Sequence, residues 1–199
     1  GAFLLRGRII GSVGDRWTRI PSAPPMASSQ RPLVVATNDD GFHARGLNAL
    51  VQALSASCDV VTVAPATEQS AMSHAITLHR PLRLHTRSSG AHSLDGTPVD
   101  CVYVALHHPG LLARKPDLVV SGINHGLNLG ADVLYSGTVA GAREGALRDI
   151  PSMAFSAPAD SDFVRLAAAS AELVAKLLAW RAANPTETAP LLNVNFPSG

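Results

Sequence analysis

From Leu33 onward the chain alternates short continuous apolar runs with longer stretches of helical periodicity, and this rhythm restricts the fold more than any other feature. Leu33-Val34-Val35-Ala36, Val60-Val61-Thr62-Val63 and Leu118-Val119-Val120 are nearly all apolar and rich in β-branched residues. Such runs predict strands buried on both faces, because a half-exposed strand would alternate polar and apolar positions. Met153-Ala154-Phe155 and Leu192-Asn193-Val194 read as two more strands. Leu47, Leu50, Val51 and Leu54 share one helical face, and further helices are predicted over 98–107, 137–147 and 162–182. Strands separated by helices of this length are βαβ units, whose crossovers lay helices on both faces of a mostly parallel sheet. The predicted class is therefore α/β, a mostly parallel sheet with helices on both faces. In such sheets ligands bind in loops beyond the carboxyl ends of the strands. That rule directs attention to the segments after residues 36, 64 and 120.

The 199 residues suit one domain. A domain of this size buries roughly 70% of its unfolded surface, so it needs no disulfide or structural metal to hold it. With 46% hydrophobic and 16% charged residues the composition is globular, not disordered. A formal net charge of +1 excludes the basic footprint used to bind a nucleic-acid duplex, yet leaves room for a small anion at a local site. No run of about 18 apolar residues occurs, so no membrane span is predicted. Cys58 and Cys101 are too few for a disulfide framework and lack metal-site spacing. They read as buried free thiols, which suits a reducing, cytoplasmic setting.

Residues 1–31 differ from the rest. Arg6, Arg8, Arg16, Arg19 and Arg31 stand against one acid, Asp15, and Pro21-Ser22-Ala23-Pro24-Pro25 is loop-like. A disordered extension is expected here, with the domain over 32–199. Three origins are open: a true start at Met26, a processed fragment, or an Arg-rich targeting segment.

The first strand runs into Thr37-Asn38-Asp39-Asp40-Gly41. Adjacent carboxylates at a strand end repel one another, and a hard divalent cation such as Mg²⁺ would relieve that with one or two carboxylates and water. Gly41 would let the backbone turn and approach a phosphate. An ordinary polar turn capping the next helix is equally open. Ser121-Gly122-Ile123-Asn124-His125-Gly126-Leu127-Asn128-Leu129-Gly130 exposes backbone N–H groups and amide oxygens, as anion cradles and metal shells do. It has neither Walker A nor dinucleotide-binding spacing. Ser136-Gly137-Thr138 opens a helix, where free N–H groups make an anion site, although Ser136 read alone is simply an N-cap. Ser70 and Ser73 lie in a polar loop after the second strand, and His74 reads as a packed histidine more readily than a catalyst. Each loop is weak evidence alone; all are predicted at one edge of the sheet.

Taken in order, Thr37 to Gly41, Val63-Ala64-Pro65, Gln69-Ser70, Asp95-Gly96-Thr97-Pro98-Val99-Asp100-Cys101-Val102, Val119 to Asn128 and Tyr135-Ser136-Gly137-Thr138-Val139-Ala140 resemble the signature blocks of the SurE family, the survival-protein 5′/3′-nucleotidases. The resemblance runs from about Arg31 to Pro197, where Asn193-Val194-Asn195-Phe196-Pro197 is similar to the family's late strand. One or two such blocks would be weak; this many in order are specific.

The resemblance implies a doubly wound α/β fold with a SurE-like, Rossmann-like core, and one divalent cation, Mg²⁺ or Mn²⁺. Its ligands fall on Asp39, Asp40, Ser70 and Asn124, with Asp39 and Asp40 the catalytic pair. The phosphate-contacting segment falls on Ser136, Gly137 and Thr138, and Asn38 and Gly41 lie beside the metal. The implied activity is hydrolysis of nucleoside 5′-monophosphates, with 3′-monophosphates a further expectation. Family members usually continue past the position of Gly199 in a segment exchanged between subunits. The domain is therefore expected to be truncated, and a homo-oligomer is expected where that segment is present. A haloacid-dehalogenase-type phosphatase would need Asp-x-Asp, whereas the acids here are adjacent. A nucleotide-binding protein of the same fold with weak turnover is the alternative.

Overall fold

Residues 30–197 are described by the computed structural model, so the extension anticipated over 1–31 lies outside the described residues up to position 29. Val34, Val35 and Ala36 are all fully buried because β1 (Leu33–Thr37) runs through the middle of the sheet. On one side it pairs with β2 (Asp59–Pro65), and on the other with β5 (Leu118–His125), both in parallel. Beyond β5 lie β6 (Ser152–Ala157) and β7 (Leu191–Asn195), also parallel. Beyond β2 lies β4 (His92–Leu94), and β3 (Leu84–Thr86) closes that edge in an antiparallel pairing. Among the described residues the seven strands stand in the order β3-β4-β2-β1-β5-β6-β7.

Helices cover both faces, as the continuous apolar strands require. Val34, Ala36, Leu118 and Val120 pack in one cluster with α1 (Arg45–Leu54) and α5 (Phe163–Ala183). Val35 and Val119 point the other way and pack with Cys101, Val102 and Ala105 of α2 (Pro98–His107). On that second face α4 (Gly137–Ala146) sets Val139 and Ala142 against Ala154 of β6. The predicted face of α1 is in place: Leu47, Leu50 and Leu54 are buried and Val51 is half-buried. Cys58 and Cys101 are buried free thiols.

Helix ends follow local chemistry. Thr97 and Asp100 form a reciprocal capping box at α2, with Pro98 in the first turn. Asp162 lies just outside α5, where its carboxylate accepts from Val164 N and Arg165 N. Three features depart from the sequence reading. β5 continues five residues past Val120, with a bulge between Ser121 and Asn124. The β3–β4 hairpin and the short helix α3 (Asp132–Tyr135) were not predicted. Among the described residues no helix is long and apolar enough to cross a membrane.

After β1 the chain turns to β2 on one side and returns much later to β5 on the other. The order of winding reverses between β1 and β5, which makes the crevice at their carboxyl ends a natural ligand site.

Candidate active site

The loop leaving β1 and the end of β5 meet in that crevice. Asn38 is fully buried, and its Nδ2 donates to Gly41 O at 2.9 Å, closing the turn. Gly41 has φ +97°, and a Cβ there would lie 3.2 Å from Glu68 N and from the carbonyl carbon of Thr67. A side chain would thus be strained and would push against the loop after β2. Gln69 N donates to Asp39 O at 2.7 Å, tying the two loops together.

A cleft of about 440 Å³ opens between these loops. Asp39, Asp40, Ser70, Asn124 and Ser136 line it, together with Glu68, His125, Asn128, Asp132 and Tyr135. The four predicted metal-binding residues are therefore brought to one place. Asn38, Gly41, Gly137 and Thr138 do not line it; they sit behind the residues that do. Two further hollows, of about 430 and 540 Å³, are lined by Arg114 and Lys115 with other residues and contain none of the predicted site residues.

Asp39 is only 5% exposed, and burial raises its carboxyl from the ordinary 3.8 to about 6. The hydroxyl of Thr138 donates to Asp39 Oδ1 and opposes that rise, while the neighbouring charge of Asp40 adds to it. Gly137 makes this approach possible, since a Cβ on it would stand 2.9 Å from Asp39 Cβ and 3.0 Å from Oδ2. Asp40 is also raised, first by burial and further by Glu68, against the pull of His125. His125 N donates to Asp40 Oδ2 at 3.1 Å, and His125 Nδ1 lies 3.8 Å from Oδ1.

The neutral candidates are held in the same way. Asn124 Nδ2 donates to Gly126 O at 2.8 Å, committing the amide nitrogen and sparing the oxygen. Ser70 Oγ donates to Glu68 Oε1 at 2.6 Å. Ser136 is the N-cap of α4, its Oγ accepting from Val139 N at 3.1 Å, so its own proton stays available. Asn128 braces the glycine-rich segment: its Nδ2 donates to Ser156 Oγ, and its carbonyl accepts from Asn193 and Asn195. His74, read as packed, lies 3.1 Å from the buried carboxylate of Glu144.

The sequence reading named neither Glu68, His125, Asp132 nor Tyr135 as site residues. His125 stands beside Asn124 in a loop already marked for chemistry, and that adjacency was the available signal. Asp132 and Tyr135 belong to a four-residue helix with no periodic signature.

Every candidate ligand offers oxygen: two carboxylates, an amide and a hydroxyl. That set suits a hard cation such as Mg²⁺ or Mn²⁺. Burial of Asp39 beside Asp40 is the electrostatic cost such a cation would remove. No cluster of three or more His, Cys, Asp or Glu able to hold a metal occurs among the described residues. The donor set thus fits an ion bound partly by neutral oxygens and water.

Residues 34–199 match the protein family described as Survival protein SurE. The chain belongs to the SurE family. A protein named 5′-nucleotidase SurE from Sorangium cellulosum is 54% identical over 170 residues, covering 85% of this chain and 66% of that protein. Its namesake from Deinococcus radiodurans is 48% identical over 187 residues, covering 89% of this chain and 67% of the relative. The crystal structure of the SurE protein from Aquifex aeolicus superposes with a TM-score of 0.74 at 41% identity, covering 83% of this chain and 66% of that one. The chain thus spans about two thirds of the length of the SurE relatives it matches.

Proposed function

We propose that this chain forms the catalytic core of a divalent-cation-dependent phosphomonoesterase acting on nucleoside 5′-monophosphates, with 3′-monophosphates as further substrates. One observation carries the reading: Asp39 and Asp40 converge with Ser70 and Asn124 on one cleft, beside the N-terminus of α4. The relatives named 5′-nucleotidase SurE support the substrate class.

In this proposal Asp39, Asp40, Ser70 and Asn124 hold one Mg²⁺ or Mn²⁺ ion. When bound, the ion supplies Lewis acidity toward a phosphoryl oxygen and makes a coordinated water more acidic. Ser136 donates its hydroxyl proton to a phosphate oxygen, and the positive end of the α4 dipole adds to that cradle. Thr138 and Gly137 act from behind, fixing the rotamer of Asp39. His125 does the same for Asp40 through its backbone N–H. An aspartate oxygen takes the proton from the attacking water. The water oxygen replaces the ester oxygen on phosphorus, and the departing nucleoside oxygen takes up the proton that the aspartate accepted, leaving as the alcohol.

The same proposal takes residues 32–199 as one domain and places it in the cytoplasm, where the buried thiols of Cys58 and Cys101 stay reduced. It includes a homo-oligomer: among the described residues β7 is an edge strand paired with β6 alone, a template for further pairing. Light scattering would test the oligomer. Phosphate release from a panel of nucleoside 5′- and 3′-monophosphates, with Mg²⁺, with Mn²⁺ and with chelator, tests the activity. Cation-dependent release is the expected outcome. Nucleotide binding without release would instead identify a binding protein.

A further inference from the structure

The loop after β2 contributes more to the cleft than Ser70. Its residue Glu68 also lines the cleft, and its Oε1 accepts the Ser70 hydroxyl proton at 2.6 Å. The loop is fixed on both sides of that contact. Glu68 N packs against Gly41, and Gln69 N bonds Asp39 O at 2.7 Å. Beyond Ser70, Ser73 N and Oγ donate to the carbonyls of Tyr135 and Leu134 at 2.9 and 2.8 Å. The Glu68–Ser70 pair is therefore held at a set place over the cleft.

A serine hydroxyl has one proton and two lone pairs. As a neutral ligand it can serve a cation only if the proton points away and the lone pairs point in. It also binds more strongly when that proton is shared with a carboxylate, as outer partners do for ligating groups generally. We propose that Glu68 is the positioning residue for Ser70: it accepts the hydroxyl's hydrogen bond so that the lone pairs of the Ser70 oxygen face the cation. The inference rests on the cation site proposed above. It assigns Glu68 no direct contact with the ion.

The test is a Mn²⁺ titration of the full chain, with free ion followed by electron paramagnetic resonance and no turnover involved. The proteins are wild type, Glu68→Ala, Glu68→Gln, Ser70→Ala and the double variant Glu68→Ala/Ser70→Ala. Both residues are exposed, so these changes leave the core intact. Glu68→Ala is expected to weaken Mn²⁺ binding about tenfold, the lower end of what losing an outer partner costs. Glu68→Gln retains an oxygen that accepts the same proton and is expected to recover most of the loss. In the Ser70→Ala background Glu68→Ala is expected to cost nothing further. An equal loss in that background would overturn the inference and make Glu68 a ligand or a plain charge. Unchanged binding in Glu68→Ala would overturn it as well. Absence of Mn²⁺ binding by the wild type would overturn the cation site itself, and with it this inference.

Discussion

Thr138 donates its hydroxyl proton to Oδ1 of Asp39 across 99 positions of sequence, tying the first turn of α4 to the loop after β1. Under the proposed function, the helix that cradles the phosphate thereby also sets a carboxylate that holds the cation. Thr138→Val keeps the volume but removes the donor, leaving a buried oxygen of Asp39 unpaired. Cation affinity is expected to fall about tenfold, and stability by about 1 to 3 kcal/mol. Thr138→Ser is expected to retain both. Calorimetric Mn²⁺ titration and urea unfolding check the pair.

Gly137 lets Asp39 lie directly on α4, with a Cβ position only 2.9 Å from Asp39 Cβ and 3.2 Å from Pro98 Cγ. Gly137→Ala forces one of these groups to move, and Pro98 is fixed in the first turn of α2. The aspartate is expected to give way. Turnover at limiting cation is expected to drop by at least tenfold, with far-UV circular dichroism unchanged; retained wild-type kinetics would show that Asp39 has slack.

Asp39 binds its proton more tightly in the folded chain, near pH 6, than its ordinary value of 3.8. The folded-state value is raised, so this group favours folding most below about pH 4 and loses that contribution as pH rises through 6. In chelator at pH 8, Asp39→Asn is therefore expected to stabilise the protein, by on the order of 3 kcal/mol. At pH 4 the gain is expected to shrink toward zero. Urea unfolding at the two pH values decides it, and a destabilised variant at pH 8 would contradict the burial argument.

Much of this site could be read before the structure. The continuous apolar runs gave all the central strands, because a strand covered on both faces has no polar positions to blur the signal. The edge hairpin was invisible for the opposite reason. β3 and β4 are three residues each, with His85, Thr86, His92 and Ser93 among them, and such short polar segments carry no period. From sequence the end of β5 reads as loop, because Ser121, Gly122 and Asn124 resemble turn residues. Ser121 and Asn124 are in fact paired with β6, with Gly122 in the bulge between them, which is what delivers Asn124 and His125 to the cleft. Thr138 read as a phosphate contact, but its side chain is fully buried against Asp39, a long-range contact that no local pattern encodes.

Glu144 is 3% exposed and bonds both Arg148, at 2.8 Å, and His74, at 3.1 Å. It joins α4 to the loop that carries Ser70. Glu144→Gln weakens the charge-assisted bonds to both partners. The variant is expected to lose about 1 to 3 kcal/mol in urea unfolding, and an unchanged midpoint would mean that the network contributes nothing net.

The central claim is that Asp39 and Asp40 hold the cation that phosphate release requires. Its most direct test compares phosphate release from a nucleoside 5′-monophosphate by wild type and Asp40→Asn at limiting Mg²⁺, with folding verified by circular dichroism. Release by the wild type, abolished by chelator and nearly lost in a folded Asp40→Asn, is the predicted result. Wild-type turnover by the folded variant under the same conditions would contradict the account.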